Sequence, residues 1–323
     1  MKLLAYTLRG LGILLLLLLI TCSVVLCISL GTTEAPPLRP ACPDTTARLQ
    51  QHVNALCQAP RHGTTKLIAH DYIVEQFRRA GWQVRLQHLF GSDGQTHYNI
   101  IASRPGASKQ RCIIGAHYDS CDTGNKNPGA DDNASAVAVL LELARTLPHT
   151  PQTLGIELIA WDCEEPPYFD TPDMGSAQHA ALCKPEEVRA LICLEMLGYY
   201  SDAPDSQPQL FPGHSLLLPT VGNFVAVVGD WGSLGLARRT GSALSHELPT
   251  VRLNVPFSHA TELWFSDHRN YAPRGIPSIM VTDTAMLRNP HYHEPTDTPA
   301  TLNYEHMARI TRALTQLVSD IVK

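Results

Sequence analysis

Carboxylate and imidazole side chains recur directly after short apolar runs in this chain. The run 111–116 is followed by His117-Tyr118-Asp119, the run 155–161 by Asp162-Cys163-Glu164-Glu165, and the run 188–194 by Glu195-Met196. Between the first two lies Gly129-Ala130-Asp131-Asp132-Asn133-Ala134-Ser135, and near the C-terminus stands Asn289-Pro290-His291-Tyr292-His293. Nitrogen and oxygen donors suit Zn²⁺ in a catalytic rather than a structural site. Two adjacent ions would need one carboxylate to bridge them, whereas a single ion would leave donors unused. Glu164 and Glu165, adjacent at a strand end, point in different directions, so one can hold metal while its neighbour takes a proton from an activated water. Any one of these residues alone reads as an ordinary loop polar group; five such segments at one edge do not.

Those residues must be delivered to one place by regular elements. Apolar periodicity predicts helices over 46–57 and 64–80, a hairpin of strands over 83–90 and 97–103 turning at 91–94, and a buried strand over 111–116. A helix follows Asn133, which can cap it, with Val137, Leu140, Leu141 and Ala144 at helical spacing; the strand 155–161 then completes a βαβ unit. Further on come a helix at 175–182, strands at 188–194 and 223–228, a helix at 234–244, a strand at 277–282 and a final amphipathic helix carrying Met307, Ile310, Leu314, Leu317, Val318 and Ile321. The expected fold is an α/β, three-layer αβα sandwich with a largely parallel (mixed) central sheet, preceded by one transmembrane helix. In such sheets sites form beyond the C-terminal strand ends, where the donors stand.

With 323 residues, 44% apolar and 17% charged, the composition is globular. Its 30 acidic against 25 basic side chains, net −5, include no dense Lys/Arg cluster, which argues against a nucleic-acid partner. Residues 11–30 carry no charge and are long enough to cross a bilayer as a helix, with Lys2 and Arg9 before them and Glu34 after. The favoured reading is an uncleaved, single-pass anchor with the catalytic domain on the extracytoplasmic side; a cleaved signal peptide is the rival. The expected organisation is an anchor over 1–31, a Pro-rich tether over 32–45 and one catalytic domain over 46–323. Of nine cysteines, Cys112, Cys163 and Cys193 sit in apolar strand-like runs as small hydrophobes. An exported location would permit Cys42 and Cys57 to bridge.

The segments Gly115-Ala116-His117-Tyr118-Asp119-Ser120, 129–135, 162–166 and Asn289-Pro290-His291-Tyr292-His293 resemble, in order and spacing, the zinc aminopeptidase family that includes secreted bacterial leucine aminopeptidases, glutamate carboxypeptidase and glutaminyl cyclase. The likeness covers about 46–323. It implies that His117, Asp132 and Glu195 hold one zinc and Asp132, Glu165 and His293 the other, with Asp132 bridging. It further implies Glu164 as general base and Asp119 as the carboxylate that orients the His117 imidazole.

The chain departs from the family pattern in places. Glu195 stands where most aminopeptidases of the family carry Asp, and Leu263 precedes Ser266-Asp267-His268 where secreted leucine aminopeptidases place a Tyr. Tyr292, at the position of a tyrosine in glutamate carboxypeptidase, is the candidate oxyanion donor, and Asp267 and His268 are candidates to line the substrate pocket. Asn133-Ala134-Ser135 fits a glycosylation acceptor, but helix capping explains it better. Ser120 and Cys121 do not require a nucleophile reading, since a metal cluster already activates water. The resemblance thus implies a zinc-dependent exopeptidase acting on peptides, in first place an aminopeptidase. Glutaminyl cyclase, with one zinc, is the alternative, and an inactive binding protein is disfavoured by the full ligand set. Segments 199–219 and 246–262 are expected to build the specificity pocket.

Overall fold

The computed structural model describes residues 29–33, 40–122, 124, 127–208, 218–255 and 264–323. Residues 11–28 of the expected membrane run 11–30 lie outside the described residues, as do 34–39 of the tether and Leu263. Among the described residues no helix is long and apolar enough to cross a membrane. The end of that run and the start of the tether form instead a strand, β1 (Ser29–Thr33).

Eight further strands follow: β2 (Gln83–Leu89), β3 (His97–Arg104), β4 (Arg111–His117), β5 (Gly155–Trp161), β6 (Val188–Glu195), β7 (Val225–Asp230), β8 (Thr250–Val255) and β9 (Ser278–Thr282). The helices are α1 (Pro43–Leu56), α2 (Leu67–Arg79), α3 (Ala136–Thr146), α4 (Gly175–Leu182), α5 (Leu234–Ser245) and α6 (Tyr304–Val322). One nine-stranded sheet runs in the order β1-β8-β7-β9-β6-β4-β5-β3-β2. The mixture is more even than the expected largely parallel sheet. The centre β9-β6-β4-β5 is parallel, as is β7 with β8, while β3 with β5, β2 with β3, β7 with β9 and β1 with β8 are antiparallel.

The central strands are apolar on both faces because both faces are covered. β5, GIELIAW, is buried at every position. One face packs α1, α2, α3, α5 and α6 around Val137, Leu140, Ile114 and Leu314. The other buries Ile113, Ile159, Trp161 and Leu191 beneath α4 and the Tyr271 turn. Each large side chain so buried contributes about 1.5–3 kcal/mol. Gly115 makes room on that second face: a Cβ there would meet the Trp161 ring at 2.3 Å. α1 opens at Pro43, earlier than the 46 expected, with Pro in its first turn where the missing N–H costs nothing. Cys42 and Cys57 are the residues flanking its two ends and are both free. A helix of that length holds them roughly 20 Å apart, far beyond disulfide reach.

β8 was not expected, since 246–262 reads as a pocket loop, although Val251, Leu253 and Val255 alternate as an edge-region strand does. Register then places the site. Gly115 of β4 pairs with Cys193 of β6, so two residues on, His117 and Glu195 leave neighbouring parallel strands at one level and toward one face.

Candidate metal centre

Three loops are locked before any donor is considered. Asp297 accepts the backbone N–H groups of Asp131 (2.9 Å) and Asp132 (3.1 Å), fixing the loop that carries Asp132. Gly129 has φ +58, and a Cβ on it would lie 2.3 Å from the Asp132 carbonyl oxygen, so glycine is required there. Asn133 does not cap α3. Fully buried, its amide donates to the Leu194 carbonyl (3.1 Å) and accepts from Met196 N–H (2.9 Å), tying the Asp132 loop to the end of β6; the same burial removes it as a glycosylation acceptor. Cys163 (φ 60), Met196 (φ 42) and His293 (φ 58) are non-glycine residues in the left-handed region, each at or beside a donor. Strain of that kind persists where surrounding structure over-determines the backbone.

Arg61, also fully buried, is the clamp beneath these loops. Its guanidinium donates to the carbonyls of Tyr118 (2.8 Å), Pro128 (2.7 Å), Gly129 (2.7 Å) and Asp132 (3.1 Å). Arg61→Met leaves those carbonyls buried without donors, and is expected to lower stability by about 3 kcal/mol. Chemical denaturation checks this; a change below about 0.5 kcal/mol would show that the loops hold themselves.

The donors meet on this frame. His117 Nε2 lies 3.4 Å from Asp132 Oδ1 and 3.5 Å from Glu195 Oε2. His293 Nε2 lies 3.1 Å from Asp132 Oδ2 and 3.2 Å from Glu165 Oε2. Donors about 2.0–2.1 Å from a tetrahedral zinc stand about 3.3 Å from one another, the spacing seen here. Asp132 offers one oxygen to each imidazole, which is what a bridging carboxylate must do. Glu164 Oε2 sits farther off, 3.9 Å from His117 Nε2, in a looser grouping with His117 and Glu165.

Four carboxyl groups thus face two imidazoles in a buried space. Burial raises Glu164 well above the ordinary carboxylate range, with the charges of Glu195, Asp267 and Glu165 adding to it. Burial likewise raises Glu195, and pushes Glu165 up to about 7 with help from Asp132. Burial would also raise Asp132, but the imidazoles of His117 and His293 beside it hold it below its usual value. Burial opposes protonation of His293, yet Asp132, Cys121 and Glu165 bring it to about 12. Glu165 Oε1, His117 Nδ1 and His293 Nε2 have no hydrogen-bond partner among the described residues. Crowded carboxylates and orphaned donor atoms are the chemistry a divalent cation satisfies, so these residues fit zinc.

Neighbouring side chains set the donors. Asp119 Oδ1 lies 3.4 Å from His117 Nδ1, and its carboxylate also accepts the N–H groups of Glu164 (3.2 Å) and Glu165 (3.0 Å), fixing the loop with the general-base candidate. Ser266 donates to Glu195 Oε2 at 2.7 Å, a role the sequence reading missed although Ser266 stood in a motif it quoted. Tyr292 stacks on the His293 ring, centroids 3.8 Å apart. Burial and the charges of Asp132, Glu165, Glu164 and Glu195 keep its hydroxyl protonated. Asp267 and His268 are fully buried and are not among the residues walling the apolar pocket beside Glu195; Asp267, pushed up to about 7 by burial, lies within the field of Glu195 and Asp119. The pocket beside Glu195 is walled instead by Phe224, Val228, Leu253, Phe265, Met280 and Met286.

His97, Asp162 and Cys163 offer a second donor cluster, but it is filled from within. The Lys66 ammonium lies 2.9 and 2.7 Å from the two Asp162 oxygens, so a cation is already present.

A mixed sheet that gathers imidazoles and carboxylates at its strand ends, with a further glutamate beside them, builds a metal centre with a general base at hand. Residues 99–318 match the model of Peptidase family M28, and the chain belongs to that family. It is 39% identical over 300 residues to the Escherichia coli K12 protein YfbL, described only as uncharacterized, covering 83% of this chain and 92% of that one. It is 27% identical over 249 residues to leucine aminopeptidase 1 of Arthroderma otae, covering 73% of this chain but 60% of that protein's length. The fold superposes on the glutaminyl cyclase of Porphyromonas gingivalis with a TM-score of 0.63 at 21% identity, over 85% of this chain and 96% of that one.

Proposed function

We propose that the chain is a two-zinc aminopeptidase that removes large apolar residues from peptide N-termini. The observation that carries this is the completeness of both donor sets around Asp132, next to an apolar pocket that starts at Glu195. His117, Asp132 and Glu195 would hold one ion, and Asp132, Glu165 and His293 the other. Zinc so held supplies Lewis acidity toward the scissile carbonyl and makes water acidic enough to attack near neutral pH.

The protein's own groups then divide the work. Glu164, buried and held in place through its N–H bond to Asp119, takes the proton of the attacking water and passes it to the leaving amine. Tyr292, kept protonated by its carboxylate neighbours, donates to the oxyanion. Phe224, Val228, Leu253 and Met280 receive the side chain of the N-terminal residue. Leu218, Val251 and Leu253 of that pocket come from segments 199–219 and 246–262, of which 209–217 and 256–262 lie outside the described residues. The charge-free run over 11–30 supports placing this activity outside the cytosol, at a membrane.

The test is a panel of aminoacyl amides with an N-terminal glutaminyl peptide, zinc being counted in the same preparation. Leucyl and phenylalanyl amides should be cleaved at least about tenfold faster than glycyl or glutamyl amides, with two zinc ions per chain. Pyroglutamate formation from the glutaminyl peptide, without amide hydrolysis, would replace this reading with the cyclase.

A further inference from the structure

The Glu165–His293 half of the centre contains one donor not yet assigned. Cys121 stands four residues after His117 in the loop that leaves β4. It is free and 7% exposed. Its Sγ, a Glu165 carboxylate oxygen and a His293 ring nitrogen all lie within 4.8 Å of one another. The loop is not free to carry the sulfur away. Ser120 N–H donates to the Arg61 carbonyl at 3.1 Å and Ser120 Oγ accepts from Arg61 N–H at 3.0 Å, anchoring the preceding residue to the same clamp that fixes the Asp132 loop. Independently, Glu165, 4% exposed, leaves its Oε1 with no hydrogen-bond partner among the described residues, so the protein itself does not satisfy this buried carboxylate oxygen of the trio.

We propose that Cys121 supplies a thiolate donor to the metal held by Asp132, Glu165 and His293. The two halves of the centre then differ in kind: His117, Asp132 and Glu195 offer only nitrogen and oxygen, while the other half adds sulfur. Loading that half releases the Cys121 proton to solvent as the sulfur–metal bond forms. A thiolate biases a site toward Zn²⁺, Co²⁺ and Cd²⁺ over Mg²⁺ or Mn²⁺, and fills a position that the His117 half leaves open for water or substrate. It also exposes the site to oxidation, because a sulfur converted to sulfinic acid no longer binds as a thiolate.

This inference rests on the two-metal reading, and one experiment separates them. The full chain, stripped of metal and checked by circular dichroism, is titrated with Co²⁺ while the near-ultraviolet thiolate-to-cobalt charge-transfer band is followed. Two cobalt ions should bind, the band should appear, and Cys121→Ser should lose the band while retaining cobalt at the His117 half and holding the other ion about tenfold more weakly. Should Cys121→Ser misfold, Cys121→Ala serves for the same comparison. Two bound ions without a band, or a band that survives in the variant, would overturn the Cys121 assignment and leave the two-metal reading standing. One bound ion with a band that depends on Cys121 would support the thiolate and overturn the two-metal reading. One ion without a band would overturn both.

Discussion

Replacing Glu164 by glutamine is expected to lower kcat on a leucyl amide by about 10²–10⁴-fold while zinc content and KM stay within a factor of two or so of wild type, the drop being the range that general-base catalysis supplies. The magnitude follows from where the carboxylate stands. At 3.9 Å it lies farther from His117 Nε2 than the Asp132 and Glu195 oxygens do, so its loss should not empty the centre. Glutamine fills the same volume and can still donate or accept a hydrogen bond, but cannot take a proton. Burial and the charges of Glu195, Asp267 and Glu165 raise its proton affinity above that of a free glutamate, which favours its taking a proton from water. Asp119 provides a control. It accepts both the Glu164 and Glu165 N–H groups without belonging to either donor set, so Asp119→Asn should reduce kcat less than Glu164→Gln does and disturb metal retention more. Measuring kcat and zinc together decides the matter: retained turnover in Glu164→Gln would remove the general-base role, and lost zinc would make Glu164 a ligand.

The legible part of this centre was local. His117, Glu164, Glu165 and Glu195 follow apolar runs that could only be buried strands, and parallel strands put such residues at one edge. Asp132 and His293 came from recognisable loop motifs. What stayed hidden depends on contacts between distant segments. Ser266 reaches Glu195 across 71 residues of chain, and Arg61 reaches the Asp132 carbonyl across 71 more. Hydrophobic periodicity carries no information on such pairs. Asp267 and His268 show a related limit: a polar triplet after a loop looks like a pocket wall, but burial within a tight turn, which sequence does not reveal, keeps both side chains from solvent, and the apolar pocket beside Glu195 is walled in part by strand residues. Cys121 was weighed only as a nucleophile the chemistry does not require, because nothing in the sequence shows that the loop after β4 returns to His293.

Lys66 is the strongest case of a hidden dependence, and Lys66→Met is expected to lower stability by about 4 kcal/mol, roughly 10 °C in melting temperature. Lys66 is 5% exposed and Asp162 fully buried, so the ammonium is the counter-charge that lets Asp162 remain ionised inside the protein. Asp162 also accepts from Tyr118 OH (3.0 Å), Tyr98 N–H (3.2 Å) and Cys163 N–H (2.9 Å), which holds the stem of the loop bearing Glu164 and Glu165. Removing the ammonium alone strands a buried carboxylate, and breaking one side of such a pair costs more than the pair contributes. Lys66→Met with Asp162→Asn removes both charges and should recover about half of the loss, a comparison that separates charge stranding from simple cavity formation. Burial alone would raise Asp162, but His97 and Lys66 hold it below its ordinary value. A depressed carboxylate stabilises the fold above its unfolded pKa of about 4 and loses that contribution as pH falls through the lower, folded value. Wild type should therefore lose stability on acidification in a window below about pH 4, and Lys66→Met should begin its loss at higher pH. Thermal unfolding followed across pH tests both statements, and a Lys66→Met protein within about 1 kcal/mol of wild type would show that Asp162 does not depend on the lysine.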